Sequence, residues 1–142
     1  MTTTFTTTPV TTDTADAGTR PLWRAALASG AVAAVTTTAI AAVADAAGVS
    51  FEVDGEPIPL VGFAQMTVLG AVLGLVIARE CRHFAHPRAT FVRITVALTA
   101  VSVAPDFMLS FDAASRTVLV LTHVAAAAII VPVLARRLPA AR

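Results

Sequence analysis

Four polar side chains stand near the ends of apolar stretches that are long enough to cross a bilayer: Asp45, Gln65, Asp106 and His123. Counted from the ends that adjoin acidic loops, each lies about 3 to 10 Å deep at helical rise. Ionisable groups at such depth are costly, so they usually face the interior of a helix bundle and often mark function. The sequence therefore predicts that the four side chains form a shared polar site. Structural hydrogen bonds between helices are favoured over a functional role for this site.

Asp106 and His123 form the most reactive pair, a carboxylate and an imidazole on either side of a short turn. Neither is expected to face lipid, because hydrocarbon offers no hydrogen-bond partner. A nearby carboxylate favours the protonated imidazole, while burial opposes it. We expect the two side chains to interact. Water access to this pair would indicate a carrier, and a dry contact would indicate a structural role.

Four apolar spans must position these residues, and residues 58–78 define the clearest one. This span has no charged residue and would reach about 31 Å as a helix, roughly the thickness of a bilayer's hydrocarbon core. The other spans are predicted at 25–47, 91–111 and 117–135. With 56% apolar and 13% charged residues, the chain is too apolar for a water-soluble surface. The predicted fold class is all-α: an integral membrane up-down four-helix bundle over residues 20–142.

Charge is distributed unevenly along this layout. The loop before residue 58 and the turn after Asp106 are acidic, whereas nine of the ten arginines fall on the opposite side. These nine are Arg20, Arg24, Arg79, Arg82, Arg88, Arg93, Arg136, Arg137 and Arg142. The positive-inside rule then predicts a multi-pass protein of the plasma membrane with both termini in the cytoplasm. Residues 1–19 are rich in threonine and are predicted to be a disordered tail.

Small residues recur at a spacing of four along the first two spans. Gly30 and Ala34 share a face of the first span, and Gly62, Gly70 and Gly74 share a face of the second. Small residues at this spacing allow two membrane helices to approach closely. We therefore predict that Gly70 and Gly74 pack against a neighbouring helix, with the first span as the expected partner. A cleaved signal peptide is the rival interpretation of the first span.

Several function classes lack the residues that they need. The net charge of +1 leaves no basic patch for nucleic acid, and the chain has no HExxH zinc motif. Cys81 is the sole cysteine, so redox chemistry with paired thiols is excluded. Cys81, His83 and His86 could in principle hold a metal, but a solvated basic loop is the favoured interpretation. The sequence thus predicts no metal, no cofactor and no catalytic residue.

Three short motifs carry a resemblance to a family. They are PIPLVGFAQ at 57–65, the Pro105-Asp106 pair, and LTHVAAAA at 121–128. From Arg24 onward the chain resembles a family of uncharacterised four-span membrane proteins of high-GC Gram-positive bacteria. This resemblance implies the fold and no activity. The expected role is a small binding, interaction or envelope-accessory protein, whose partners are the lipid bilayer and a second copy or another membrane protein. The alternative is a small transporter or proton-coupled carrier that uses the polar site.

Overall fold

Helices form most of the described chain. The computed structural model describes residues 21–53, 55–109 and 111–141, so the predicted tail at 1–19 lies outside the described residues. The elements are α1 (Leu22–Ala46), β1 (Glu52–Val53), β2 (Glu56–Pro57), α2 (Leu60–Cys81), α3 (Pro87–Ser102), α4 (Ala104–Met108) and α5 (Ala113–Ala135). By length and composition, α1, α2, α5 and the continuous stretch Pro87–Met108 could each cross a membrane. The prediction of an all-α chain with four such helices is confirmed.

Helix α1 packs most extensively, against both α2 and α5. Its contact face consists largely of small residues, and Ala33 and Ala41 are fully buried. Side chains of this size let helix backbones approach closely, which increases the van der Waals contact between them. Helix α3 packs against both α5 and α2. The three helices α2, α3 and α5 leave a cleft between them.

Two apolar clusters hold the helices together at different levels. The first joins the beginning of α1 and α3 to the ends of α2 and α5, with Phe91 and Leu134 fully buried in it. The second contains Ala41, Phe51, Phe63, Phe111 and Leu119. In the second cluster the rings of Phe51 and Phe63 meet edge to face, with centroids 5.3 Å apart.

The third span differs from its predicted boundaries of 91–111. It begins at Pro87, which occupies the first helical turn, where its missing N–H costs no hydrogen bond. It is also interrupted, because α3 ends at Ser102 and α4 begins at Ala104. Pro105 accounts for the break, since it cannot donate a hydrogen bond to the preceding turn. The interruption sets the direction of α4 and therefore of Asp106.

The segment between α1 and α2 was predicted as a plain loop and instead contains an antiparallel hairpin. Val53 pairs with Glu56, so the turn between the strands has two residues. Gly55 has a φ of 86°, a conformation that glycine adopts without strain. The sequence did carry this signal, because Asp-Gly is a preferred two-residue hairpin turn.

Candidate functional site

Asp106 and His123 lie next to one another where α4 packs against α5. Oδ2 of Asp106 is 3.7 Å from Nδ1 of His123, and the Asp106 side chain is only 9% exposed. Among the described residues, this buried oxygen has no hydrogen-bond partner. Nδ1 of His123 instead donates to the carbonyl oxygen of Leu119 over 2.8 Å. The pair is therefore an electrostatic contact without a direct hydrogen bond between the two side chains.

Arg116 holds the turn that positions Asp106. Its Nε donates to the carbonyl oxygen of Asp106 over 3.0 Å, and its Nη2 donates to that of Phe111 over 3.1 Å. The guanidinium also lies over the ring of Phe107, 5.4 Å from the centroid. From the sequence, Arg116 was placed only by its charge, and this role was missed. The signal was available, because it is the one arginine predicted on the acidic side.

Asp112 starts α5 and fixes the other side of the turn. Its side chain accepts hydrogen bonds from the backbone N–H groups of Ala114 and Ser115, at 2.8 and 3.0 Å, as an N-cap does. The Ser115 hydroxyl also donates to Asp112. Hydrogen bonds from Ser115 lower the pKa of the Asp112 carboxyl below its usual value, because they stabilise the charged form. Ser115 in turn accepts from the N–H of Phe51, which ties the hairpin loop to α5.

The other two predicted members of the polar site lie elsewhere. Gln65 is exposed on α2, two residues from the buried Phe63 and Thr67 on either side. At about 100° per residue, Gln65 points some 160° away from those two side chains. Asp45 is exposed in the last turn of α1. Of the four predicted residues, the structure brings together Asp106 and His123 alone.

A cleft of about 470 Å³ opens between α2, α3 and α5, and His123 lies in its wall. The cleft was not predicted from the sequence. Its wall is mainly apolar, with five hydroxyl side chains besides the imidazole. The apolar wall includes Phe63, Met66, Leu69, Leu73, Ile77, Phe91, Leu98, Leu119 and Ile130. Ligand sites typically have about 300 to 1,000 Å³ and this mixture of many apolar and few polar groups.

Gly30 makes the close helix contact that small residues were predicted to make. A Cβ atom at Gly30 would come within 2.8 Å of the Cβ of Ala71, so α1 and α2 meet closely there. Ala34 is also buried on α1. The small-residue face of α1 thus packs, but its partner on α2 is Ala71 rather than the predicted glycines.

The glycines of α2 have three different environments. Gly74 is buried against Leu134 and Ile130 of α5, not against α1. Gly70 lines the cleft, and a Cβ atom there would have no described neighbour within 4 Å. A Cβ atom at Gly62 would contact only Ile58, which lies just before α2. The predicted contact of Gly70 with a neighbouring helix is therefore wrong, because successive small residues at spacing four drift around a helix of 3.6 residues per turn.

The basic connection between α2 and α3 shows no metal-binding arrangement. Cys81 is buried, whereas His83 and His86 are exposed. Within the described ranges, no three His, Cys, Asp or Glu side chains are grouped closely enough to hold a metal ion. Arg88 has a structural role here, since it donates to the carbonyl oxygens of Ala135 and Leu138 at the end of α5.

The fold is that of an all-α protein with four helices that are long and apolar enough to cross a membrane. Over residues 17–140 the chain matches a family of unknown function, DUF6069, and it belongs to that family. It matches no curated protein and no solved structure. The prediction of an uncharacterised family is thus confirmed, while the four-span character and bacterial range of that family stay predictions.

Proposed function

We propose that this chain is an integral membrane binding protein whose cleft takes up one small, largely apolar molecule. The observation that carries this proposal is the cleft itself, which has the volume and the apolar wall of a ligand site. It lies between candidate membrane spans, so an apolar ligand would reach it from the bilayer. The volume of about 470 Å³ lies within the range of small-molecule sites, which favours a small molecule over a partner helix as the occupant.

The outer surface supports a membrane environment. Val35 on α1, Val61 on α2 and Val101 on α3 are 71%, 58% and 66% exposed, and α5 exposes Leu121 and Val124 as well. Water-soluble monomers rarely expose large continuous apolar patches. In a bilayer these side chains would contact hydrocarbon instead of water, so their exposure would carry no hydrophobic cost.

The charges support one orientation in a plasma membrane. Arg24, Arg79, Arg82, Arg88 and Arg136 lie at or near the ends of helices that meet in the first apolar cluster. Asp45, Glu52, Glu56 and Asp112 lie at the opposite ends, beside the second cluster. By the positive-inside rule, the arginine-rich end is cytoplasmic. Because the four spans then alternate in direction, both ends of the described chain face the cytoplasm.

Cysteine labelling will test this orientation. Native Cys81 is only 1% exposed, so it would resist labelling on either side and should first be replaced by alanine. We expect a cysteine at the exposed Glu56 to react with a membrane-impermeant maleimide in intact cells. A cysteine at the exposed His83 should react only after lysis. The opposite pattern would reverse the orientation, and labelling of both in intact cells would contradict a spanning bundle.

Filling the cleft will test the binding function. A Gly70→Leu side chain would enter the cleft without meeting a neighbour at its Cβ, so the fold should persist. We expect this variant to lower the affinity for an apolar fluorescent probe, an anthracene with an alkyl chain, by at least about tenfold in nanodiscs. Ala100→Leu is the matched control, because Ala100 is exposed on α3 outside the cleft wall.

Equal probe affinity in wild type, Gly70→Leu and Ala100→Leu would contradict the proposed site. If the probe does not bind and Gly70→Leu changes the oligomeric state in nanodiscs, then a second copy of this chain occupies the cleft. That result would replace ligand binding with an interaction role.

A proton-coupled carrier is the second candidate, and the buried, unpartnered Oδ2 of Asp106 beside His123 favours it. Buried carboxylates of this kind serve as proton sites in membrane transporters. The exposed position of Gln65 weakens this candidate, because the site then lacks its third polar member. Ligand-driven proton uptake into proteoliposomes that is lost in Asp106→Asn would assign this function.

A further inference from the structure

The hydroxyl groups in the cleft wall share one property: each has already donated its single hydrogen. The nearest acceptor of each is a backbone carbonyl of the same helix, at 2.7 to 2.8 Å. Thr67 also shares a hydrogen bond of 2.9 Å with the hydroxyl of Thr37 on α1. The bonds run from Thr67 to Phe63, Thr95 to Phe91, Thr99 to Thr95, Ser102 to Thr99 and Thr122 to Leu119. A hydroxyl has one donor hydrogen and two lone pairs. These side chains therefore offer the cleft only acceptor positions.

His123 has the same polarity. Its Nδ1 is 2.8 Å from the Leu119 carbonyl oxygen, and a carbonyl oxygen only accepts, so Nδ1 carries the hydrogen. Oδ2 of Asp106, 3.7 Å from Nδ1, lies on the side of the ring that carries this hydrogen. In a neutral imidazole the other nitrogen is then an acceptor. Because Nδ1 is engaged with Leu119 and His123 lies in the cleft wall, Nε2 is the ring nitrogen left for a ligand.

Other donors are also occupied or absent in the part of the wall that the structure describes. In the cleft wall, the N–H of Ile58 donates to Phe51 and that of Gly62 donates to Pro59, at 3.0 and 2.8 Å. N–H groups inside the helices donate along the helix ladder. The described wall contains no Arg, Asn, Gln or Trp side chain. A ligand must therefore supply the hydrogen of any hydrogen bond made in the cleft.

We propose that the ligand of this cleft has an apolar body and a hydrogen-bond-donating head, a hydroxyl or an amine, that donates to Nε2 of His123. This inference rests on the proposed binding function and adds the chemical class of the ligand. An ester or carboxylate head would place lone pairs against lone pairs and would lose its hydrogen bonds to water without replacement. The wall thus selects donors over acceptors of equal length.

Chain-matched probes test the selection: dodecanol, dodecylamine, methyl dodecanoate and dodecane, each competing with the fluorescent probe in nanodiscs. In wild type, we expect dodecanol and dodecylamine to bind about three- to tenfold more tightly than dodecane, the range that one net hydrogen bond supplies. Methyl dodecanoate should bind no better than dodecane. His123→Phe should remove the donor preference and keep dodecane binding, while His83→Phe, at an exposed histidine outside the cleft, should change neither.

The outcomes separate this inference from the function on which it rests. If no probe, dodecane included, competes in wild type, the binding function fails. If dodecane competes but methyl dodecanoate matches or exceeds the donors, or the donor preference survives in His123→Phe, the ligand class is wrong and the binding function stands. Preference for dodecylamine alone would support the inference and narrow the head to an ammonium group.

Discussion

Gly30→Leu should abolish the folded helix bundle. The Cβ alone would come within 2.8 Å of the Cβ of Ala71, closer than two carbon atoms can pack, and leucine adds three further carbons. Because α1 packs against both α2 and α5, separating α1 from α2 disturbs both of its interfaces. We expect a destabilisation above about 3 kcal/mol, the upper end of typical overpacking costs. The measurements are the yield of monodisperse protein in mild detergent and its thermal unfolding.

Gly70→Ala is the matched control on α2. A Cβ atom at Gly70 would have no described neighbour within 4 Å, so the substitution should be neutral or should stabilise the helix by up to about 1 kcal/mol. Wild-type yield and melting temperature in Gly30→Leu would show that the helices do not meet at Gly30. An equal loss of yield and thermal stability in both variants would mean that α1 and α2 tolerate no added side-chain atoms, and would not support one close contact at Gly30.

Arg116→Ala should destabilise the protein by about 2 kcal/mol, within the range for charged hydrogen bonds between partly buried groups. Two hydrogen bonds, to the carbonyl oxygens of Asp106 and Phe111, would be lost together with the contact to the Phe107 ring. Both hydrogen bonds are partly buried, so water would replace them only in part after the substitution. The measurement is the free energy of unfolding in detergent, with denaturant or heat.

This prediction depends on the planar guanidinium of arginine, which presents two N–H groups in a fixed geometry. Lysine keeps the charge but cannot direct two N–H groups in the same fixed geometry, so Arg116→Lys should recover only part of the loss. Arg136→Ala is the control, because Arg136 is an exposed arginine just past the end of α5. Full recovery in Arg116→Lys would mean that charge alone, and not the pair of hydrogen bonds, stabilises this turn.

The proximity of Asp106 and His123 was predictable because both flank a short turn. A short connection keeps neighbouring helix ends together, so two residues at similar depth meet whatever the rest of the bundle does. Gln65 has no such constraint. Its direction depends on the rotation of α2, and the sequence around it is apolar on every side, so periodicity gave no preferred face. The break at Pro105 was signalled by residue type, but the resulting direction of α4 was not.

The sequence by itself determined the four apolar helices, because length and hydropathy depend only on consecutive residues. It also determined that small residues of α1 would pack closely, and that Asp106 and His123 would be neighbours. Only the tertiary structure decided which residue faces Gly30, that Gly70 opens into a cleft, and that Arg116 holds the turn beside Asp106. In helices that are apolar all round, the rotation of each helix is fixed by side-chain packing between elements distant in sequence.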